Sequence, residues 1–221
     1  MSVRKKAFVL GEYYHIYNRG NSKQKIFHSK EDYYRFICLL YACNSVNNFR
    51  IYDLGKKETP YDFERGITLV DIGAYVVMPN HFHILITQTE NGDVSKFMQK
   101  LTTAYVMYYN KKYKRMGSLF EGKFKAEHLD RDVYLKYIFS YIHLNPIKLI
   151  DKKWKKKGVR NKKEALDYLN HYQYSSYPDY LGKERTQNII LNRRAFPDYF
   201  PTTREFLKEI FEWINFKNGE R

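Results

Sequence analysis

Two histidines separated by one residue, His81 and His83, are the residues best placed to do chemistry in this 221-residue chain. They open the run His81-Phe82-His83-Ile84-Leu85-Ile86, which is apolar and reads as a strand. Side chains alternate across a strand, so residues two apart face the same way. At roughly 3.3 Å of rise per residue their Cα atoms stand about 7 Å apart, which lets both imidazoles reach one metal ion. Phe82, Ile84 and Ile86 take the opposite face and anchor it in a core. Packing explains such a pair equally well, so the spacing alone does not decide.

Tyr141 and Asn145 form a second pair, one helical turn apart and therefore on one face. A phenol beside a metal-bound phosphodiester is a nucleophile, because the ion neutralises the phosphate charge and orients it for in-line attack. The amide oxygen of Asn145 could complete an oxygen-rich shell around that ion. Two imidazoles and an amide, with room left for water and phosphate oxygens, suit Mg²⁺ or Mn²⁺ better than a closed zinc site. Tyr134 and Tyr137 are nearby competitors, and most helix tyrosines are packing residues. His143 points about 200° round the helix from Tyr141; with His128 it is assigned an ordinary surface or packing role.

The elements that must position these groups can be traced along the chain. Glu12 to Arg19 reads as a strand ending at Gly20-Asn21. Ser29, followed by Glu31 and Asp32, starts a helix with apolar residues at Tyr33, Phe36, Ile37, Leu40 and Tyr41. A strand is expected at Ile51 to Leu54, then a charged loop from Gly55 to Gly66. Ile67 to Met78 and His81 to Gln88 are two strands separated by Pro79-Asn80. Asp93 begins a helix with an almost unbroken apolar stripe from Val94 to Tyr108. A strand at Lys123 to Leu129 follows, and then a helix capped by Asp130 or Asp132. That helix ends near Asn145, because Pro146 disfavours the helical conformation for its predecessor. This order predicts an α+β fold, a ferredoxin-like antiparallel sheet with packed helices. After Ile150 the texture changes: Asp151 to Lys163 carries eight Lys and Arg. Residues 1–150 are therefore taken as the catalytic domain. Residues 151–221 are taken as a basic, partly helical extension with a final amphipathic helix from about Thr203.

The formal charge is +15, from 39 Lys and Arg against 24 Asp and Glu, which favours a polyanionic partner. The 22 Tyr and 15 Phe often stand beside basic residues, the combination used to stack bases and hold phosphates of single strands. Candidate DNA contacts are Arg19, Lys111, Lys112, Lys114, Arg115, Lys123, Lys125, Lys155 and Lys156, although charge runs are more often solvated faces. Cys38 and Cys43 read as two buried thiols of a reducing cytoplasm and match neither a disulfide framework nor a zinc ribbon. Ala7-Phe8-Val9-Leu10 is too short for a secretory h-region, and no stretch approaches the roughly 20 apolar residues of a membrane span. A cytoplasmic, nucleoid-associated protein with no membrane partner is expected.

The stretch Val77-Met78-Pro79-Asn80-His81-Phe82-His83-Ile84-Leu85 resembles the HUH signature of bacterial single-tyrosine transposases. Four further segments resemble the REP-associated branch of that family: Tyr14 to Asn21, Gly117 to Lys125, Tyr141-Ile142-His143-Leu144-Asn145-Pro146, and Tyr174-Ser175-Ser176-Tyr177. The resemblance implies His81 and His83 as metal ligands, Tyr141 as nucleophile and Asn145 as the helix-borne polar ligand. It implies cleavage of single-stranded DNA near a hairpin, through a 5′-phosphotyrosine link and a free 3′-OH, with Mg²⁺ or Mn²⁺ and no nucleotide cofactor. Where the family usually carries Trp-Gln, this chain has Phe120-Glu121, and Glu121 adds negative charge beside the DNA path. Residues 185 to 221 resemble nothing in the family. A monomer or homodimer is expected. The rival readings are a domesticated, non-catalytic binder of structured single-stranded DNA or RNA, and a metal hydrolase with water as nucleophile.

Overall fold

The computed structural model describes residues 7–48, 59–90 and 92–215, so the strand expected at Ile51 to Leu54 lies outside the described residues. Strands β1 (Tyr13–Arg19), β2 (Val70–Met78), β3 (His81–Gln88) and β4 (Lys125–His128) form one antiparallel sheet in the order β2-β3-β1-β4. With α1 (Lys30–Ala42) between β1 and β2, and α2 (Val94–Lys112) between β3 and β4, this is the predicted ferredoxin-like α+β arrangement. Helix α3 (Asp132–Leu144) follows β4. The later helices are α4 (Trp154–Lys157), α5 (Lys162–His171), α6 (Tyr177–Tyr180) and α7 (Thr203–Asn215).

The two faces of the sheet have different owners. Tyr14, Ile16, Tyr75, Val77, Phe82, Ile84 and Ile86 are buried on one face against Phe36, Ile37 and Leu40 of α1 and Phe97, Leu101 and Tyr105 of α2. Ala74, Val76, Met78 and Leu85 lie in a second core with Leu135, Ile138, Phe139 and Ile142 of α3. Phe206, Ile210 and Ile214 of α7 complete that same core. The boundary expected after Ile150 is thus a change of surface charge, not a break in the core. The apolar residues behind the basic stretch, Trp154 and Val159 among them, are buried beside the sheet.

The Tyr174-Ser175-Ser176 segment also closes the exposed edge of β2. Val77 N donates to Tyr174 O at 2.8 Å and Ser176 N to Tyr75 O at 2.9 Å. Covering an edge strand in this way removes a site for unwanted strand pairing. The β2–β3 turn, Pro79-Asn80, is held from outside. Ile26 N and Phe27 N both donate to Pro79 O, at 2.9 and 3.1 Å, and Gly20 N donates to Asn80 O at 2.9 Å.

The helix starts test the capping expectations. Ser29 caps α1, and Asp93 caps α2 by accepting from Lys96 N at 2.9 Å. At α3 the expectation is corrected: the cap position is Arg131, and Asp132 is already inside the helix. The Asp132 carboxylate is drawn instead to the hydroxyl of Tyr199, which donates to it. The two cysteines are buried, and burial pushes their thiols up to about 11 for Cys38 and about 12 for Cys43.

Lys112, expected on DNA, keeps about a third of its side chain exposed but pairs its ammonium within the fold. Its ammonium lies 2.6 Å from Asp32, whose carboxylate is completely buried and also accepts from Tyr113, Tyr108 and the backbone of His28 and Ser29. Removing the cation strands a buried charge that keeps its other donors. Lys112→Met is therefore expected to cost about 2–3 kcal/mol of stability, somewhat less than the roughly 3–5 kcal/mol of a fully buried pair because the Lys112 side chain is about a third exposed. Urea unfolding checks this, and a loss under half a kilocalorie would mean that the tyrosines and backbone alone carry Asp32.

Candidate active site

Register decides which side chains meet. Tyr17 pairs with His83 and Arg19 with His81 across β1 and β3, while His15 pairs with Glu127 and Tyr17 with Lys125 across β1 and β4. Directly opposed residues share a face, so His15, Tyr17, Arg19, His81, His83, Lys125 and Glu127 all stand on the α3 side. All but His15 and Glu127 border a cleft of about 380 Å³, which Tyr141 and Lys148 also line. The rings of His81 and His83 are 5.0 Å apart, and the ring of Tyr141 is 5.2 Å from that of His83. Tyr137 stacks behind Tyr141 at 6.0 Å and, like Tyr134, is absent from the cleft lining.

The hydrogen bonds of the two imidazoles leave the same atom on each for the cleft. His81 Nδ1 is 2.6 Å from Asn80 Oδ1, and Asn80 is itself oriented by donating to Lys23 O at 3.0 Å. An amide oxygen can only accept, so His81 carries its proton on Nδ1 and leaves the Nε2 lone pair open. His83 Nδ1 is 2.8 Å from His15 Nε2. Asn145 is buried at the end of α3; its amide reaches both His81 and Tyr141, and its Oδ1 makes no hydrogen bond of normal geometry. Two imidazole nitrogens and an unsatisfied buried amide oxygen fit an octahedral ion that retains water and phosphate oxygens. Among the described residues, no three His, Cys, Asp or Glu side chains converge on a metal position by themselves.

Burial sets the protonation of the site. It lowers His81 to about 4, assisted by the charge of Lys148, and holds His83 well below the usual histidine range, assisted by His15 and His81. His15 is also lowered by burial, against the opposing pull of Glu127. Away from the cleft, burial lowers His143 to about 3, and its Nε2 sits 2.7 Å from Ser176 Oγ, the packing role expected for it. Burial raises the Tyr141 phenol, while the Asn145 amide acts to lower it. Lys155 Nζ lies 3.6 Å from the centre of the Tyr141 ring, and burial with the nearby Lys148 lowers it to about 8.

These histidines dictate a pH dependence of stability. In the unfolded chain each protonates near 6.5, roughly the ordinary histidine value, and in the fold only at lower pH. Below that value the unfolded state binds more protons than the folded one, so stability is complete above pH about 6.5 and falls on acidification. Chemical denaturation of metal-free protein is expected to show a loss of up to about 1.4 kcal/mol per pH unit from His81, continuing to near pH 4, with the other lowered histidines adding in the same direction. A flat profile across that window would mean that the histidines are protonated in the fold.

The cleft takes up only part of the predicted basic set. Arg19 and Lys125 line it, with Lys23 and Lys148, which were not foreseen. Lys123 borders a neighbouring groove that shares Asn18 with the cleft. Lys111, Lys114 and Arg115 lie at and beyond the C-terminal end of α2 and do not line the cleft; Arg115 sits over the Tyr109 ring at 5.7 Å. Lys155 meets Tyr141 from α4, and Lys156 follows it on the same short helix outside the lining. Glu121 is at the rim, paired with Arg19, so its charge is offset within the protein. His15, Tyr17, Asn80 and Glu127 were not singled out as site residues from the sequence, although the first three fall in segments that resemble the family. The available signal was the alternation His15-x-Tyr17-x-Arg19 on β1, the same two-residue spacing that exposed His81 and His83.

Comparison with known proteins agrees with the resemblance read from the motifs. Residues 66–145 match the family model for IS200-like transposases, a span that begins before β2 and ends on Asn145. A solved structure of a REP-associated tyrosine transposase bound to a REP hairpin has the same fold. Its TM-score is 0.52 at 13% identity, over 85% of this chain and 90% of that one. No curated protein sequence matches the chain. No described helix is long and apolar enough to cross a membrane.

Proposed function

We propose that this chain is a metal-dependent single-strand DNA endonuclease and strand transferase of the single-tyrosine HUH type, acting beside DNA hairpins. The observation that carries the reading is the convergence of the His81 and His83 imidazoles, the unsatisfied Asn145 oxygen and the Tyr141 ring in one cationic cleft. The hairpin held by the structurally similar transposase supports the substrate class. His81, His83 and Asn145 would hold Mg²⁺ or Mn²⁺, which when bound neutralises the scissile phosphodiester and orients it.

The chain's own residues supply the remainder. Arg19, Lys23, Lys125 and Lys148 attract and orient the phosphate backbone. Tyr141 Oη attacks phosphorus, and the P–O3′ bond breaks. The products are a 5′-phosphotyrosine and a 3′-oxygen; the proton that the phenol gives up balances the one this oxygen takes to become the free hydroxyl. The cation of Lys155 on the ring favours negative charge on the phenol during attack. Because the phosphotyrosine conserves the bond energy, the 3′-OH can reverse the step and rejoin strands, with no nucleotide cofactor. The chemistry implies action at the nucleoid in the cytoplasm.

The test is incubation of the full chain with hairpin-bearing single-stranded DNA and Mn²⁺, followed by denaturing electrophoresis. A covalent protein–DNA species is expected. Binding without any adduct across a broad set of hairpins would favour the non-catalytic binder.

A further inference from the structure

His15 is a buried histidine that the reaction does not require, and both its ring nitrogens are engaged. Its Nε2 is 2.8 Å from His83 Nδ1, and its Nδ1 is 3.3 Å from Glu127 Oε2. It is 3% exposed and therefore has no nitrogen left for an ion or for substrate. The pair bond to His83 is diagonal on the sheet: His15 lies directly opposite Leu85, and His83 directly opposite Tyr17.

We propose that Glu127 and His15 are positioning residues that act in series to fix the tautomer of His83. The inference rests on the metal-binding reading of His83 given above. A bond between two neutral imidazoles has two possible directions, and only the carboxylate distinguishes them. An ionised Glu127 can only accept, so it requires the proton of His15 on Nδ1. That leaves His15 Nε2 as an acceptor and requires His83 to donate from Nδ1. His83 Nε2 is then a lone pair facing the cleft. In the opposite direction the His15 Nδ1 lone pair would confront the carboxylate, and His83 would carry a proton on the atom that must bind the ion. Carboxylates and carbonyls behind metal-bound histidines set tautomer and ring orientation in this way; here a second imidazole is interposed. Asn80 performs the same service for His81 in a single step.

Glu127 is the place to test this, because it is half-exposed on an edge strand and its truncation spares the core. Metal-free full-length protein with ¹⁵N-labelled histidine is examined by NMR at neutral pH, and Mn²⁺ affinity is measured by calorimetry. The wild type is expected to show the proton of both His15 and His83 on Nδ1. Glu127→Ala should mix the tautomers and weaken Mn²⁺ binding about 10-fold or more, with Glu127→Gln, which keeps an acceptor oxygen, recovering most of the loss. Glu12→Ala is the matched control, since Glu12 is a carboxylate 2.6 Å from His128 with no path to His83. A wild-type His83 protonated on Nε2, or a Glu127→Ala variant that binds Mn²⁺ as the wild type does, overturns the relay and leaves the functional reading intact. Correct tautomers in a wild type that takes up no Mn²⁺ overturn the functional reading, and the positioning role falls with it.

Discussion

Tyr141→Phe is expected to abolish the covalent protein–DNA species and to reduce strand cleavage by roughly 10⁴-fold or more, the scale on which loss of a covalent nucleophile acts. The substitution removes one oxygen and keeps the ring, so the contacts of Tyr141 with His83, Tyr137 and Lys155 survive. Folding and hairpin binding should therefore change little, and circular dichroism with a gel-shift assay separates these from the chemistry. The other phenol in the cleft, Tyr17, is a poor substitute. It donates to Glu127 at 3.0 Å, and burial together with that bond pushes it up to about 12. An adduct that persists in Tyr141→Phe would transfer the role to Tyr17 or another tyrosine. Cleavage that persists without an adduct would identify water as the nucleophile and make the protein a hydrolase.

His81→Ala is expected to lower cleavage by about 10²–10³-fold, the value of several kilocalories of lost charge stabilisation at the phosphate. Chelation of the wild type should do the same, and added Mn²⁺ should reverse chelation but not the substitution. His81 is a cleaner choice than His83, because removing His83 also strips His15 of its buried partner and adds a structural cost. Hairpin binding should persist in both cases, since Arg19, Lys23, Lys125 and Lys148 still line the cleft. Because burial keeps His81 neutral down to about 4, proton competition should not weaken the metal site between pH about 6 and 8, where an ordinary histidine titrates. Cleavage measured with saturating Mn²⁺ across that range, and found unchanged in His81→Ala, would remove the metal from the mechanism.

Local rules read from the chain carried far. Period-two alternation placed His81 and His83 on one strand face, and the helical turn put Tyr141 beside Asn145, because both regularities belong to the backbone and need no partner. Capping chemistry located α1 and α2 for the same reason. It failed at α3, where the Tyr199 hydroxyl, 67 residues away, claims the Asp132 carboxylate. Composition and charge texture left two features of the packing unseen. The basic stretch after Ile150 conceals buried residues of the second core, and Lys112, one cation in a run of four, belongs to Asp32.

The tyrosine and the histidine pair were thus fixed in type, spacing and order by the chain alone, as was the strand and helix sequence that carries them. Their convergence was not, because it depends on which residue of β1 stands across from which residue of β3 and β4. A shift of one residue in either register would turn His15 or Glu127 to the other face. Register is set by the packing of both sheet faces, which is non-local. The same holds for Glu121, whose charge looked adverse to DNA until the fold paired it with Arg19, and for Asn145, whose unsatisfied oxygen exists only because α3 buries it beside His81.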